Sequence, residues 1–267
     1  MRFFMLAAIL FVSFWSGLKS AHAVGFAHGP NFVVFTPEEA SDDASQAFAL
    51  RVLAKADEYR RQIALEWFEE ELPEGAGRAV INIMFSSNGE ASGTWAKDHQ
   101  SRTHHKIFLS TTRDRALGNT LQHEIAHVVF STKYTHDNPL PIWLEEGIAS
   151  RYDDDKRKQK RQQVLNNLVQ TGDVPDLQVL FDRERLAAQN FTGYAAAVSL
   201  TDCLLRRGDK QSLLRFAEAA QRDGFDRALW DVYSIHNVRE LQLVWRAQLS
   251  QSNDPASKVT SFVTSRY

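Results

Sequence analysis

Cysteine is nearly missing from this chain: Cys203 is the single one in 267 residues. Intrachain disulfides are therefore excluded, and so is any metal site built from several thiolates. An excess of either charge is missing as well, with 31 Lys and Arg against 33 Asp and Glu and a formal net charge of −2. That balance denies the chain the basic footprint of a nucleic-acid binder, so no nucleic-acid partner is expected. Internal repeats and low-complexity stretches are lacking, and beyond the first fifteen residues no apolar run approaches spanning length. What remains is an ordinary globular composition, 43% apolar and 24% charged, with enough chain to bury a sizeable core.

The one apolar run, Phe3 to Val12 extended by Phe14 and Trp15, follows Met1-Arg2 and precedes Ala21-His22-Ala23. A positive start, a short apolar segment and an A-x-A site are the composition of a secretory signal peptide over residues 1–23. The run falls short of the roughly 20 residues of a comfortable membrane span. An uncleaved N-terminal anchor is the alternative. The expectation is an exported protein, periplasmic or secreted, with no stable membrane span in the mature chain.

After this leader the pattern is strand-poor, then helix-rich. Asn31–Thr36, Ala79–Phe85 and Lys106–Ser110 are β-branched and aromatic runs that read as strands, with Trp95–His99 as an exposed one. Thr36-Pro37-Glu38-Glu39 has the look of a helix start, with Thr36 as cap, Pro37 at the first position and Glu39 at the third. Apolar residues then recur at helical spacing through Phe48, Val52, Ala56, Tyr59, Ile63 and Trp67. Beyond Arg115 the sequence predicts helices over 116–131, 141–152, 156–170, 192–207, 210–222, 225–233 and 238–250. The class is α+β: a small N-terminal sheet with one covering helix, followed by a mainly helical half. The expected parts are 24–152, 153–250 and an aperiodic, loose tail over 251–267. Within them Arg151–Arg161, mixing three Asp with six basic residues, reads as a solvated connector and helix start.

One pentapeptide carries most of the chemistry. His123-Glu124-Ile125-Ala126-His127 is an H-E-x-x-H sequence inside an amphipathic pattern of Leu117, Leu121, Ile125, Val128 and Val129. On a helix His123 and His127 project from one face a turn apart. Two neutral imidazoles so placed suit one zinc ion, and Glu124 beside them suits a general base. A catalytic zinc takes a third protein ligand and keeps one position open. Trp143-Leu144-Glu145-Glu146-Gly147-Ile148-Ala149-Ser150 supplies that ligand, after Pro141 opens a second helix. Helical phase alone does not decide between Glu145 and Glu146.

HEIAH followed by WLEEGIAS resembles the gluzincin metallopeptidases, in particular the peptidase-MA-like domains and zinc aminopeptidases. The close match covers only Leu121–Ser150. The resemblance implies a zincin-like catalytic domain, one zinc ion held by His123, His127 and Glu146, and a polypeptide substrate. It makes Glu146, the Glu immediately before Gly, the third ligand and leaves Glu145 a neighbour. Glu124 would be the base that takes a proton from water and later protonates the leaving amine. A tyrosine from the downstream helices would stabilise the oxyanion, and Tyr194 stands at a suitable place in chain order, with Tyr152 and Tyr233 as weaker candidates. The plain alternative for Tyr194 is a core side chain. No G-x-M-E-N segment precedes the zinc motif, so the resemblance points to an endopeptidase rather than an aminopeptidase. Relatives of this kind pair extended substrate with an edge strand. Gly93–Asp98 is the candidate edge, with Trp95 either near the cleft or a buried core side chain.

His104 and His105 are adjacent in a strand and face opposite sides, so they do not share a metal. His136, beside Asp137, is either a support for a ligand or part of an exposed loop. The competing functional reading is a non-catalytic, metallopeptidase-like binding module that keeps zinc. The oligomeric state is open.

Overall fold

The computed structural model describes residues 25–37, 41–86, 91–99, 102–135, 138–182, 186 and 190–253. The leader, Glu38 and Glu39, His136 and nearly all of the tail lie outside these residues. Five strands form one mixed sheet in the order β1 (Gly25–His28), β2 (Phe32–Thr36), β3 (Ala79–Phe85), β5 (Arg102–Thr111), β4 (Ala91–His99). The pairs β2/β3 and β3/β5 are parallel, and the outer pairs β1/β2 and β4/β5 are antiparallel. Alternation sets which face is covered. Phe32, Val34, Ala79, Ile81, Ile83, Ile107 and Leu109 are buried on the helix side, whereas Phe26, Met84 and Trp95 stay exposed.

The long helix α1 (Asp42–Phe68) covers the sheet. It buries Phe48, Val52, Ala56, Ile63 and Trp67 at helical spacing. Its cap is Ser41, whose side chain accepts from the Ala44 amide. The start expected at Thr36-Pro37 is therefore corrected. Thr36 ends β2, fully buried, with its hydroxyl donating to the carbonyls of Gly25 and Ser45. Two strand readings are corrected too. The edge strand β4 begins at Ala91, four residues before the expected start at Trp95, and the four-residue strand β1 is not among the expected ones.

The helical half follows as α2 (Arg113–Ala116), α3 (Asn119–Lys133), α4 (Ile142–Ala149), a 3-10 turn at Ser150–Tyr152, α5 (Asp155–Thr171), α6 (Leu177–Phe181), α7 (Phe191–Leu205), α8 (Lys210–Asp223), α9 (Phe225–Tyr233) and α10 (Val238–Asn253). The helix expected over 116–131 is split by a turn at Leu117-Gly118, which separates α2 from α3. One apolar core runs from Ala27 in the sheet to Leu249 in α10. Among the described residues no helix is long and apolar enough to cross a membrane.

Candidate active site

Helix α3 is anchored by its apolar face. Leu121, Ile125, Val128, Val129 and Phe130 are buried, and Phe130 meets Trp67 of α1 edge-on at 5.4 Å between ring centroids. That anchoring turns His123, Glu124 and His127 toward a cleft of about 830 Å³. Helix α4 closes on α3 because Gly147 lets it lie directly against α7. A Cβ at Gly147 would stand 2.1 Å from Thr201 Oγ1 and 2.9 Å from the Ala197 carbonyl oxygen, closer than packed atoms allow. Trp143, fully buried and stacked on Phe181 at 5.1 Å, fixes the other side of α4.

This packing brings three donors together. His123 Nε2 and His127 Nε2 are 3.3 Å apart, and Glu146 Oε2 lies 4.0 Å from the first and 3.7 Å from the second. Atoms at these separations lie on a circle of radius about 2.1 Å, the usual distance from zinc to nitrogen or oxygen. Among the described residues His123, His127 and Glu146 are the grouping of ligand atoms that suits a metal ion.

The remote nitrogens of both rings also face carboxylates. His127 Nδ1 is 2.8 Å from Glu145 Oε1, and His123 Nδ1 is 3.2 Å from Asp153 Oδ1. A carboxylate behind each imidazole keeps the ring's other nitrogen turned toward a metal. Glu145 and Glu146 are thus separated by geometry. Glu146 points at the donor circle, while Glu145 reaches around to the back of His127.

The charges fit a cation as well. Glu124, Glu145, Glu146 and Asp153 all line the cleft around the two histidines. Burial opposes protonation of His127, but the carboxylates of Glu146, Glu145 and Glu124 outweigh it and raise its pKa to about 10. Burial lifts the Glu146 carboxyl above its ordinary value, even with both histidines pulling it down. A divalent ion among these groups would relieve both effects.

Asp153 is the residue that sequence reasoning missed. The stretch read as a solvated connector contains a buried carboxylate, 2% exposed, that meets His123, Arg157 at 3.1 Å and Arg161 at 2.7 Å. Burial alone would raise its pKa; His123, Arg161 and Arg157 outweigh burial and hold it well below the usual carboxylate range. The available signal was the run Asp153-Asp154-Asp155 directly after the ligand helix.

Glu124 is buried beside the donors, and its Oε2 accepts a hydrogen bond of 2.8 Å from the Thr94 hydroxyl of β4. Among the described residues β4 is the last strand of the sheet, and Gly93, Thr94 and Ala96 of the expected edge line the cleft together with Ala91 and Ser92. Trp95 is a correction. It is neither near the cleft nor in the core, but 57% exposed on the opposite face beside Val33, Val80 and Lys106.

Tyr194, in the first turn of α7, lines the cleft. Burial first, then the neighbouring Glu146 and Glu124 charges, push its phenol above the ordinary tyrosine range, so it stays protonated and able to donate. The weaker tyrosines lie elsewhere. Tyr152 donates to Glu66 and accepts from the Trp67 indole, and Tyr233 packs on Phe216. His105 faces the helices, with Nε2 2.7 Å from Ser131 Oγ, while exposed His104 lines the other side of the sheet. Neither joins the donor circle. No protein-family model and no curated protein matches this chain.

Proposed function

We propose that this protein is an exported zinc metallopeptidase of the gluzincin kind that cleaves within polypeptide chains. The observation that carries the reading is the convergence of His123, His127 and Glu146 beside Glu124, with a carboxylate behind each imidazole. These residues would hold the metal. A zinc ion bound there supplies a Lewis acid for the substrate carbonyl and makes water more acidic.

The chain's own groups account for the rest. Thr94 ties up Glu124 Oε2, which leaves the other carboxylate oxygen to take a proton from the attacking water. The same carboxyl then hands that proton to the departing amine. Tyr194, kept protonated by its surroundings, donates a hydrogen bond to the carbonyl oxygen as negative charge builds on it. The outer edge of β4 offers backbone groups for an extended peptide laid along the cleft. Three protein donors leave a position open, as hydrolysis requires and a purely structural site does not.

The test is zinc content and protein hydrolysis, measured on the wild-type chain and on Glu124→Gln. The variant is expected to keep about one zinc and lose hydrolysis by at least a hundredfold. Equal activity in both chains would end the peptidase reading. Zinc binding without hydrolysis in either would favour the non-catalytic binding module.

A further inference from the structure

The cleft that holds the donor circle is also lined by side chains of opposite charge. Helix α5 contributes Lys156, Arg157, Lys160 and Arg161 to it, and α2 adds Arg115. The arginines have work already. Arg157 and Arg161 reach Asp153, and Arg115 reaches Asp154 at 2.9 Å. The lysines do not: among the described residues neither Lys156 nor Lys160 has a carboxylate partner. They stand one helical turn apart, so both ammonium groups can serve one bound segment. Lys160 is also steadied, its Nζ lying 4.1 Å from the centroid of Phe191, a cleft-lining ring that is 51% exposed. This cationic patch is a local device, because the whole chain carries a formal charge of −2.

We infer that the cleft selects acidic polypeptide segments, with Lys156 and Lys160 binding substrate carboxylates beside the position where the chain would be cut. The inference deepens the peptidase reading and rests on it. An extended peptide suits the cleft because β4, whose outer side has no strand partner among the described residues, also lines it and offers backbone hydrogen bonds. Lysine is suited to this task, since its ammonium is a point charge that attracts a carboxylate without fixed geometry.

The experiment uses the full chain carrying Glu124→Gln and loaded with zinc, so that binding is read without turnover. Three fluorescent peptides differ only in two positions, occupied by Glu, Gln or Lys, and fluorescence anisotropy gives their affinities. The Glu peptide is expected to bind about tenfold more tightly than the Gln peptide, the Lys peptide most weakly, and the spread should shrink as salt rises. Adding Lys156→Gln and Lys160→Gln should erase the spread while zinc content and melting temperature stay unchanged. Equal affinities, no binding of any peptide, or a spread that survives both substitutions would overturn the inference. Cleavage by the wild-type chain separates the two claims. A Glu peptide that binds selectively but is never cut defeats hydrolysis and leaves the acidic site standing. Equal kcat/KM for all three peptides keeps hydrolysis and defeats the acidic preference.

Discussion

The floor of the cleft and its α5 wall are built from opposite charges, and they are held in place by different means. The floor gathers carboxylates around two imidazoles on α3 and α4, helices locked by buried Phe130, Trp143 and Gly147. The wall is one face of an exposed helix with few buried residues, Leu165 and Leu168 among them. The floor is thus shaped by core packing, whereas the wall is shaped by surface charge. Such a division suits a cation that must be held rigidly and a ligand that must come and go. Asp153 joins the two, touching His123 on one side and Arg157 and Arg161 on the other.

The largest expected effect breaks the floor alone. Glu146→Ala should reduce zinc affinity by more than a thousandfold, because a donor is lost. Glu145→Ala should reduce it only about 10–100-fold, because a support is lost. Competitive titration with a zinc chelator measures both, and the reverse order would show that Glu145 is the ligand.

Breaking the junction comes next. Asp153→Asn should weaken zinc binding about 10–100-fold and cost about 1.5–3 kcal/mol of stability, as Arg161 and Arg157 lose a buried anion. A carboxyl depressed in the folded chain stabilises it above the unfolded pKa near 4, and that contribution fades as pH falls through the folded value. Urea melts from pH 7 down to pH 2 should therefore show a shallower acid loss in Asp153→Asn than in wild type. Parallel curves would show that Asp153 is not the stabilising anion.

The smallest effect sharpens the floor without dismantling it. Thr94→Val removes the hydroxyl that holds Glu124. It should lower kcat about tenfold while KM and zinc content stay put. A KM change with kcat intact would mean that Thr94 positions substrate rather than the base.

Much of this architecture could be read from local pattern. The period of apolar residues gives α1 and α3, and the HEIAH and WLEEGIAS segments give both helices whose His123, His127 and Glu146 the structure brings together. Tyr194 was legible only through chain order and a resemblance. What escaped the sequence comes from contacts between residues far apart in the chain or from weak local signals. Asp153 reads as one charge among many until the 3-10 turn at Ser150–Tyr152 tucks it under His123. Thr94 lies one residue before the strand expected from Trp95, and its pairing with Ile107 of β5 makes it part of β4. Trp95 was misplaced by one step of the pleat, since neighbouring strand residues face opposite sides. Between Glu145 and Glu146, which helical phase leaves open and the resemblance decides for Glu146, the structure turns Glu146 toward both imidazoles and Glu145 to the back of His127.

The central claim is that three side chains hold one zinc ion and leave it a free position. Anomalous diffraction at the zinc edge, from crystals of the loaded full chain, tests this most directly. The account predicts a single peak within about 2.0–2.2 Å of His123 Nε2, His127 Nε2 and a Glu146 oxygen, with the remaining position turned to the cleft. A peak elsewhere, Glu145 in place of Glu146, or a fourth protein group on the ion would contradict it.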